Sequence, residues 1–497
     1  MGCSPQREAS QESAALRRQF VEVAELEALR SENEALRSEN EALIQQIAEL
    51  EALRSENEEL SKRVSELEKL LAQAQRAGRR QAAPFSRKKR KKNPKKPGRK
   101  KGHPGARRDK PDQVDRTLKA LPLESCPECG GVVPDSQKEE NYQTDLPPVK
   151  PEVTRFEFES GWCAHCQERV YSRHEEQTSM ATGAAAHHLG PRVRAFAADL
   201  KARLGIPYRK IAEILREQFG IEVTAGGLAQ SNARLAQRAS PTLEQMKKAL
   251  AQEKLVSADE TGWRIGIISS WLWVVCSELF TIYVIVPHRR ASVVREILGE
   301  DFEGLLMRDG WRSYDTQLDY QMLRCLLHLM HNAENLEDTQ GGEAGESMGL
   351  FVLWIEGVFA LRKQAGELSE QEYQREAMAF VEWFDEFVEA EPESESNRRF
   401  AQRLGEIRAQ VVPIIEDPEL PATNSLGERQ IRPAVVHRKI SAGNKTQHGA
   451  ETLSTLASLA ATSRQQSTSF FTVVQRILTS PVGQAIIFWQ QPDPAPT

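Results

Sequence analysis

The sequence predicts a multidomain α/β protein: an N-terminal coiled coil, a small four-cysteine module, a helical segment, and an α/β domain that carries a helical insertion. Three observations predict this order. A seven-residue leucine repeat occupies residues 22–75, two Cys-x-x-Cys pairs lie within residues 113–180, and strand-like runs alternate with helical patterns from residue 251 onward. With 497 residues, the chain is long enough for several domains with buried cores.

The N-terminal part of the chain predicts self-association. The first 21 residues are polar and are expected to be disordered, and Glu-Ala-Leu-Arg-Ser-Glu-Asn is then written three times, at 27–33, 34–40 and 51–57. Leucines seven residues apart, with asparagine at some facing positions, are typical of a coiled coil that pairs in a defined register. After Leu50 the frame slips by three residues, which is a stammer. We expect a homodimer or higher oligomer through residues 22–75, with an unpaired solvated helix as the alternative.

A basic linker follows at residues 76–112. The formal net charge of the chain is −5, yet 17 Lys and Arg and only one acid lie between Arg76 and Lys110. The Pro, Gly and charge content of this linker excludes a packed core, and such segments bind nucleic-acid phosphates without reading sequence. A linker that is merely solvated is the alternative. The residues expected to contact DNA here are Arg87, Lys88, Lys89, Arg90, Lys91 and Lys92.

The module at residues 113–180 contains four of the seven cysteines, namely Cys126, Cys129, Cys163 and Cys166. Each Cys-x-x-Cys turn directs two thiolates toward one ion, and two such turns complete the tetrahedral shell of a structural Zn²⁺. In a long chain without a secretory signal, this pattern favours metal binding in a reducing compartment over disulfides. Unrelated core cysteines are the alternative. Four thiolates suffice, so His165 and His174 are expected to be bystanders.

Residues 181–250 predict a helical DNA-binding segment. An amphipathic helix begins at Tyr208, a turn follows at Gly220, and Thr224 can cap a second helix. This order is typical of a helix-turn-helix, whose second helix can enter the major groove of DNA. Helices that only pack against one another are the alternative.

Strand-like runs at 254–264, 271–277 and 280–286 come next, followed by a helix at 291–298 and a strand that ends at Asp309. Three strands, a helix and a fourth strand open a ribonuclease-H-like α/β domain. The 118 residues between Asp309 and Glu428 exceed what a tight connection needs. We therefore divide the rest of the chain into four parts: 251–340 and 416–465 for the α/β domain, 341–415 for a helical insertion that opens with a loop at Gly341–Gly345, and 466–497 for a C-terminal tail.

Three acids stand out in this domain. Asp259 is expected at a strand end before Gly262, Asp309 precedes Gly310 in the same way, and Glu428 follows Asn424 by four residues on a short helix. One such acid is usually just solvated. Three carboxylates brought together would repel one another unless divalent cations neutralised them, and Mg²⁺ or Mn²⁺ suits carboxylate ligands. Two such ions support phosphodiester cleavage and joining.

The surrounding residues strengthen that prediction, because they occur in order through most of the chain. The sequence resembles the DDE transposases of the insertion sequence 66 family in Asp259-Glu-Thr-Gly-Trp263, Trp271-Leu-Trp-Val274, Arg308-Asp-Gly-Trp-Arg-Ser-Tyr314, Cys325-Leu-Leu-His328, Asn424-x-x-x-Glu428-Arg429-x-Ile431-Arg432-Pro433, and Arg438-Lys439. The resemblance implies catalysis by Asp259, Asp309 and Glu428 as ligands of two metal ions. It also implies a zinc-binding segment before the catalytic part and a helical insertion within it.

Further residues near these motifs receive narrower predictions. Pro433 disfavours a helical residue before it, so the helix is expected to end near Arg432. Cys325 and His328 offer only two ligands, so a packing role is preferred over metal binding. The residues expected to hold DNA phosphates near the metals are Arg429, Arg432, Arg438 and Lys439.

Together these features predict a DNA transposase that acts on the terminal repeats of its element and on target DNA in the bacterial cytoplasm, at the nucleoid, with possible accessory proteins. No apolar run is expected to reach the roughly 18 residues of a membrane span. Two alternatives stay open: a zinc-containing DNA-binding protein without catalysis, and a metal-dependent nuclease that does not join strands.

Overall fold

The computed structural model describes residues 109–489, except 122 and 135–136, and seven positions between residues 45 and 63. Those seven positions are helical and exposed, and among them Leu53 is 59% exposed. The predictions for the disordered N-terminus, for most of the coiled coil and for the basic run at 87–92 lie outside the described residues. The chain divides into two compact units, Met1–Ala83 and Pro84–Thr497, and the following description concerns the second.

The cysteine module is built on two small β-structures. Strands β1 (Ser160–Cys163) and β2 (Glu168–Tyr171) form an antiparallel hairpin in which Cys163 faces Glu168. Upstream, an isolated antiparallel bridge joins Ser125 to Val132. Each Cys-x-x-Cys pair therefore lies in or beside a tight turn.

Three helices follow: α1 (Pro191–Ala202), α2 (Tyr208–Phe219) and α3 (Ala225–Leu250). Helix α2 ends at Gly220, whose φ of 66° is left-handed and therefore suits glycine. The Thr224 side chain accepts a hydrogen bond from the backbone N–H of Gly227 at 3.0 Å and caps α3. The predicted order of helix, glycine turn, cap and second helix is thus present.

The helical segment shares a core with the α/β domain. Ala198 of α1 and Leu235 and Met246 of α3 lie in one buried cluster with Val256 and Trp273 of the sheet. A smaller cluster, which includes Ile211 and Leu228, joins α2 to its two neighbours. The boundary predicted at residue 250 therefore does not separate two independent cores, because the second half of α3 covers one face of the sheet.

A five-stranded mixed sheet forms the centre of the protein. Its strands are β3 (Leu255–Ile265), β4 (Ile268–Cys276), β5 (Thr281–Val286), β6 (Leu305–Arg308) and β7 (Met322–Arg324), in the spatial order β5-β4-β3-β6-β7. Strands β3, β4 and β5 pair antiparallel, whereas β6 and β7 run parallel to β3. Two short helices, α4 (Ser292–Leu298) and α5 (Ser313–Gln317), flank β6 in the chain.

These elements match the predicted strands and helix to within a few residues, but one position differs. Asp259 was expected at a strand end, and it is the fifth of eleven residues in β3. The strand continues because Gly262 remains paired with Trp271 and Ile265 with Ile268 across an antiparallel hairpin. A glycine can thus be kept inside a strand when the neighbouring strand satisfies its backbone.

The helical insertion, which was predicted from residue 341, begins earlier in the structure. It comprises α6 (Leu326–Gln340), α7 (Gly342–Gln364), α8 (Glu370–Glu389), α9 (Glu395–Glu406) and α10 (Arg408–Glu416). These helices have a buried cluster of their own, which reaches the sheet through Met307 and Leu323. The prediction of a loop at 341–345 is wrong, since only Gly341, with a φ of 65°, separates α6 from α7.

Helix α7 is long and apolar enough to cross a membrane, and among the described residues it is the one helix that meets this test of length and composition. The prediction that no such segment exists therefore needs correction. Met348, Phe351, Ile355 and Val358 of α7 lie in the buried cluster of the insertion. This packing accounts for the apolar residues on that face, whereas Leu350 and Leu353 of the same helix are 58% and 61% exposed.

The last helices are α11 (Ser425–Ser441), α12 (Gln447–Gln465) and α13 (Phe470–Thr479). Helix α11 continues past Pro433, so the predicted end at Arg432 is wrong. The segment from residue 466 was predicted to be a tail, yet Phe470, Val474 and Phe488 are buried in the core of the sheet and helical segment. Up to residue 489 it is therefore an integral part of the fold.

Candidate active site

Two of the three predicted acids lie side by side on neighbouring strands. Asp259 lies within β3, and Asp309 directly follows β6, the strand that pairs parallel to β3 with Ser257 opposite Met307. The structure brings carboxylate oxygens of Asp259, Glu260 and Asp309 within 4.8 Å of one another. We call this group the acid site.

Burial and mutual repulsion mark the acid site electrostatically. Burial raises the pKa of Asp259 well above its usual value, and the nearby charges of Glu260, Asp309 and Glu428 raise it further. The backbone N–H of Glu260 donates to Asp259 at 2.8 Å and opposes this shift. Asp309 accepts a hydrogen bond from the backbone N–H of Trp311 at 2.9 Å. Neither aspartate forms an ion pair with a lysine, arginine or histidine in the described part of the chain.

Glu260 differs from Asp259 because it has a cationic partner. The guanidinium of Arg289 contacts the Glu260 carboxylate with its Nε at 2.8 Å and its Nη2 at 2.5 Å, and the Tyr314 hydroxyl donates to the same carboxylate at 3.0 Å. Arg289 itself lies over the rings of Trp271 and Trp311, 4.5 and 4.3 Å from their centroids. Sequence reasoning missed Glu260 as a site residue, and its position next to Asp259 was the only available signal.

The third predicted acid, Glu428, is exposed in the first turn of α11 and lies outside the closest group of three. It is near enough for its charge to act on Asp259. The fully buried side chain of Asn424 anchors this helix, since its Nδ2 donates to the carbonyl of Ala258 at 2.9 Å. Gly427 leaves room for that amide, because a Cβ there would meet the Asn424 Oδ1 at 2.8 Å.

The four predicted basic residues of α11 have different surroundings. Arg429 and Arg432 are exposed and line a cavity of about 590 Å³ together with Arg203 and Arg464. The Arg429 side chain lies 3.8 Å from Glu278, an exposed pair of small energetic effect. Arg438 is half-buried, and its Nη1 donates to the carbonyl of Gly262. Lys439 is exposed.

The structure arranges the four module cysteines as two separate pairs. Among the described residues, no group of three or more metal-ligating side chains within 4.8 Å includes them. The backbone N–H groups of Cys129 and Glu128 lower the pKa of Cys126, and that of Cys166 lowers the pKa of Cys163, whose sulfur lies 3.5 Å from the Cys166 sulfur. Each turn thus favours a thiolate, the form that binds metal.

Cys325 and His328 occupy the start of the insertion. Cys325 is fully buried in the insertion core, and its sulfur accepts a hydrogen bond from the backbone N–H of Asn424 at 3.3 Å. This contact helps to hold the start of α11 against the sheet. Neither residue belongs to a metal-ligating group among the described residues.

The donor set of the acid site fits a divalent cation. Mg²⁺ and Mn²⁺ prefer carboxylate oxygens, and Asp259 and Asp309 present half-buried carboxylates that form no ion pair with a described side chain. Glu260 is already paired with Arg289, so the open charges are those of the two aspartates, with Glu428 at the exposed side.

A comparison with known families bears on this geometry. The family model described as "Transposase IS66 family" matches residues 187–452, which is just over half of the chain. The match includes α1 to α3, the sheet, the insertion, α11 and the first residues of α12. No curated protein shows significant similarity to the chain.

Proposed function

The chain belongs to the IS66 transposase family, and we propose that it cuts the ends of its element and joins them to target DNA by metal-dependent phosphodiester chemistry. The observation that carries this proposal is the pair of half-buried aspartates without an ion-pair partner, which two adjacent parallel strands bring together. The order of the five strands, with two antiparallel pairings on one side of β3 and two parallel pairings on the other, supports the assignment of a ribonuclease-H-like domain.

In the proposed reaction Asp259, Asp309 and Glu428 hold Mg²⁺ or Mn²⁺. Two such ions, when bound, would activate water or a 3′-hydroxyl and stabilise the leaving oxygen. The Trp311 backbone N–H fixes the Asp309 carboxylate, and Asn424 and Gly427 hold the Glu428 helix against β3. Arg289 and Tyr314 keep Glu260 in place, so that its charge is offset beside the two aspartates.

We propose three further roles around this site. Arg429 and Arg432, with Arg203 and Arg464, present a basic cavity to DNA, and the linker at 87–92 adds contacts that do not depend on sequence. The α2–α3 pair reads the terminal repeats as a helix-turn-helix. The four module cysteines bind Zn²⁺, since both turns lower a thiol pKa.

Self-association and location complete the proposal. Leu53 belongs to a seam of the heptad repeat, and its 59% exposure in the single chain is what pairing would bury. A dimer through residues 22–75 would bring two element ends together. Action on DNA implies the bacterial cytoplasm, at the nucleoid, and accessory proteins belong to the same proposal.

The experiment that tests this function measures cleavage and joining of DNA that bears the element's own ends, with Mg²⁺, Mn²⁺ or EDTA. Asp259→Asn, Asp309→Asn and Glu428→Gln should each reduce both reactions by about 10³-fold or more, as for removal of a group that stabilises transition-state charge. Binding of the same DNA should persist. The matched control is Glu376→Gln, which changes an exposed glutamate of the insertion.

Each outcome separates the proposal from its alternatives. Cleavage without joined products supports a nuclease. Binding without any reaction, in the wild type and the variants alike, supports a DNA-binding protein without catalysis. Full activity in the three variants would exclude the acid site as the catalytic centre.

A further inference from the structure

A second cavity lies beside the acid site, between the outer edge of the sheet and the insertion. Its volume is about 480 Å³, and Gly310, the residue after Asp309, forms part of its wall. We call it the arginine cavity, because three arginines line it: Arg312 after β6, Arg324 on β7 and Arg403 on α9. Its walls thus come from both the catalytic sheet and the helical insertion.

Arg324 is the unusual member of this group. The residue is 2% exposed, and its guanidinium makes one hydrogen bond, from Nη2 to the Gly310 carbonyl at 3.1 Å. Its Nε and Nη1 are buried and have no partner among the described residues. Buried polar groups in folded proteins almost always have hydrogen-bond partners, and a buried charge normally has a counterion. Arg324 therefore lacks the anion that its position requires.

The nearby acids do not pair with Arg324: Asp309 and Asp315 act on it through their charges, but neither carboxylate forms an ion pair with its guanidinium among the described residues. Asp315 lines the cavity, but it already accepts from the Arg308 guanidinium and from Gln410, whose Nε2 lies 3.0 Å away. Arg308 is also buried, and it stands opposite Arg324 on the paired strand, so two positive charges adjoin. Glu406 also lines the cavity, yet it forms no ion pair with an arginine of the cavity in the described structure.

We propose that the arginine cavity binds a phosphate group, and that this group belongs to the DNA strand on which the acid site acts. A phosphate offers several acceptor oxygens, which match the fork of donors that a guanidinium presents. The Arg324–Gly310 hydrogen bond couples the cavity to the residue after Asp309, so that a phosphate held there would fix the strand next to the reacting linkage. The DNA source rests on the proposed function, whereas the phosphate chemistry rests on the cavity alone.

The test measures DNA binding by the full chain in EDTA, where no cleavage occurs. Dissociation constants for a random-sequence duplex are determined over a range of KCl concentrations. Loss of one phosphate contact should reduce the slope of log K against log salt by about one. We expect this change, with binding about tenfold weaker at low salt, for Arg324→Gln and Arg403→Gln but not for Arg324→Lys.

The matched control is Arg399→Gln, because Arg399 lies one turn before Arg403 on α9 and pairs with Glu395 at 2.7 Å outside the cavity. A second arm uses inorganic phosphate and measures the melting temperature against chloride at equal ionic strength. Phosphate should raise that temperature for the wild type and Arg399→Gln more than for Arg324→Gln. Arg403→Gln, at the exposed rim, keeps the test valid if Arg324→Gln does not fold.

The outcomes separate the sources of the phosphate. A change in melting with phosphate and no change in DNA binding would support a free phosphate site and overturn the DNA contact. No difference between cavity variants and control in either arm would overturn the inference. Because neither arm depends on cleavage, failure of the proposed catalytic function would leave this result unaffected.

Discussion

The acid site and the arginine cavity lie on either side of Asp309-Gly310, and each holds charge that its neighbours do not neutralise. In the acid site the excess is negative and comes from Asp259 and Asp309. In the cavity it is positive and comes from Arg324, whose guanidinium forms no ion pair. A fold tolerates such excess where ligands of opposite charge complete it. The contrast supports the two proposals together, because a cation site and a phosphate site would then lie at adjacent places in one sheet.

The Glu260–Arg289 pair shows the opposite solution within the same sheet. Both charges are present, and two hydrogen bonds and two aromatic rings hold the arginine in place. The Glu260–Arg289 pair therefore shows what a fully paired charge looks like, for comparison with the acid site and the arginine cavity.

The largest effect is expected from Asn424→Ala, which changes the geometry of the acid site without changing its charge. The carbonyl of Ala258 would lose its buried partner, and the Glu428 helix would lose its anchor. We expect cleavage about 10- to 100-fold slower, as for loss of a group that orients a metal ligand. Steady-state cleavage rates with saturating Mg²⁺ provide the measurement.

Gly427→Ala should act in the same direction, because its Cβ would displace the Asn424 amide. Asn335→Ala, at an exposed asparagine of α6, is the control. Wild-type rates in Asn424→Ala would mean that Glu428 does not depend on this anchor.

A smaller effect is expected from Arg289→Met, which leaves Glu260 without its cation. Breaking a buried pair costs several kcal/mol, but Arg289 is 35% exposed, so we expect about 2 kcal/mol less stability near pH 7. Burial raises the pKa of Glu260, and loss of Arg289 would raise it further. A raised folded pKa favours the protonated form, so the difference between variant and wild type should shrink as the pH falls toward 4.

Denaturant unfolding at several pH values checks this prediction. Arg290→Met, which changes the exposed neighbour, should leave stability nearly unchanged. A difference that stays constant from pH 7 to 4 would indicate that Arg289 contributes through ring packing instead of through Glu260.

The smallest effect is expected from Asp259→Asn without metal, and this substitution is expected to increase the stability of the protein. Because the pKa of Asp259 is higher in the folded protein than in the unfolded chain, the protonated carboxyl favours the folded state. This stabilisation is complete below the pKa of the unfolded chain and is lost as the pH rises through the pKa of the folded protein. Removing the charge should therefore stabilise the protein in EDTA by about 1 kcal/mol at pH 7 and by little near pH 4.

Melting curves with and without Mg²⁺ measure this gain. Mg²⁺ should stabilise the wild type and not the variant, because the ion binds the carboxylate. A loss of stability on Asp259→Asn in EDTA would show that the negative charge is already compensated.

Sequence reasoning found the elements whose signals are local. The strands around Asp259, the glycine turn after α2 and the cap at Thr224 depend on near neighbours, and the structure contains them. Asp259 and Asp309 could be brought together because each ends an apolar run followed by glycine. Strand β3 continues beyond its glycine, however, because β4 satisfies the backbone there.

The features that were missed depend on distant contacts. Glu260 is a site residue because Arg289 and Tyr314 reach it from elsewhere in the chain. Helix α11 continues through Pro433 because buried residues hold it on both sides of the proline: Gly427, Gln430 and Ile431 lie before it, and His437 lies after it. The arginine cavity lies where β7 contacts the insertion, and no motif or residue spacing in the sequence predicts that contact.

The position of α13 has a consequence for how the protein is made. Its buried residues, Phe470, Val473 and Ile477, complete the core between α1, α3 and the sheet, yet they follow every strand of that sheet in the chain. A nascent chain therefore cannot close this core when its strands emerge, but only after α13 has been synthesised. A chain shortened before α13 would keep both aspartates but would lack part of the packing around their sheet.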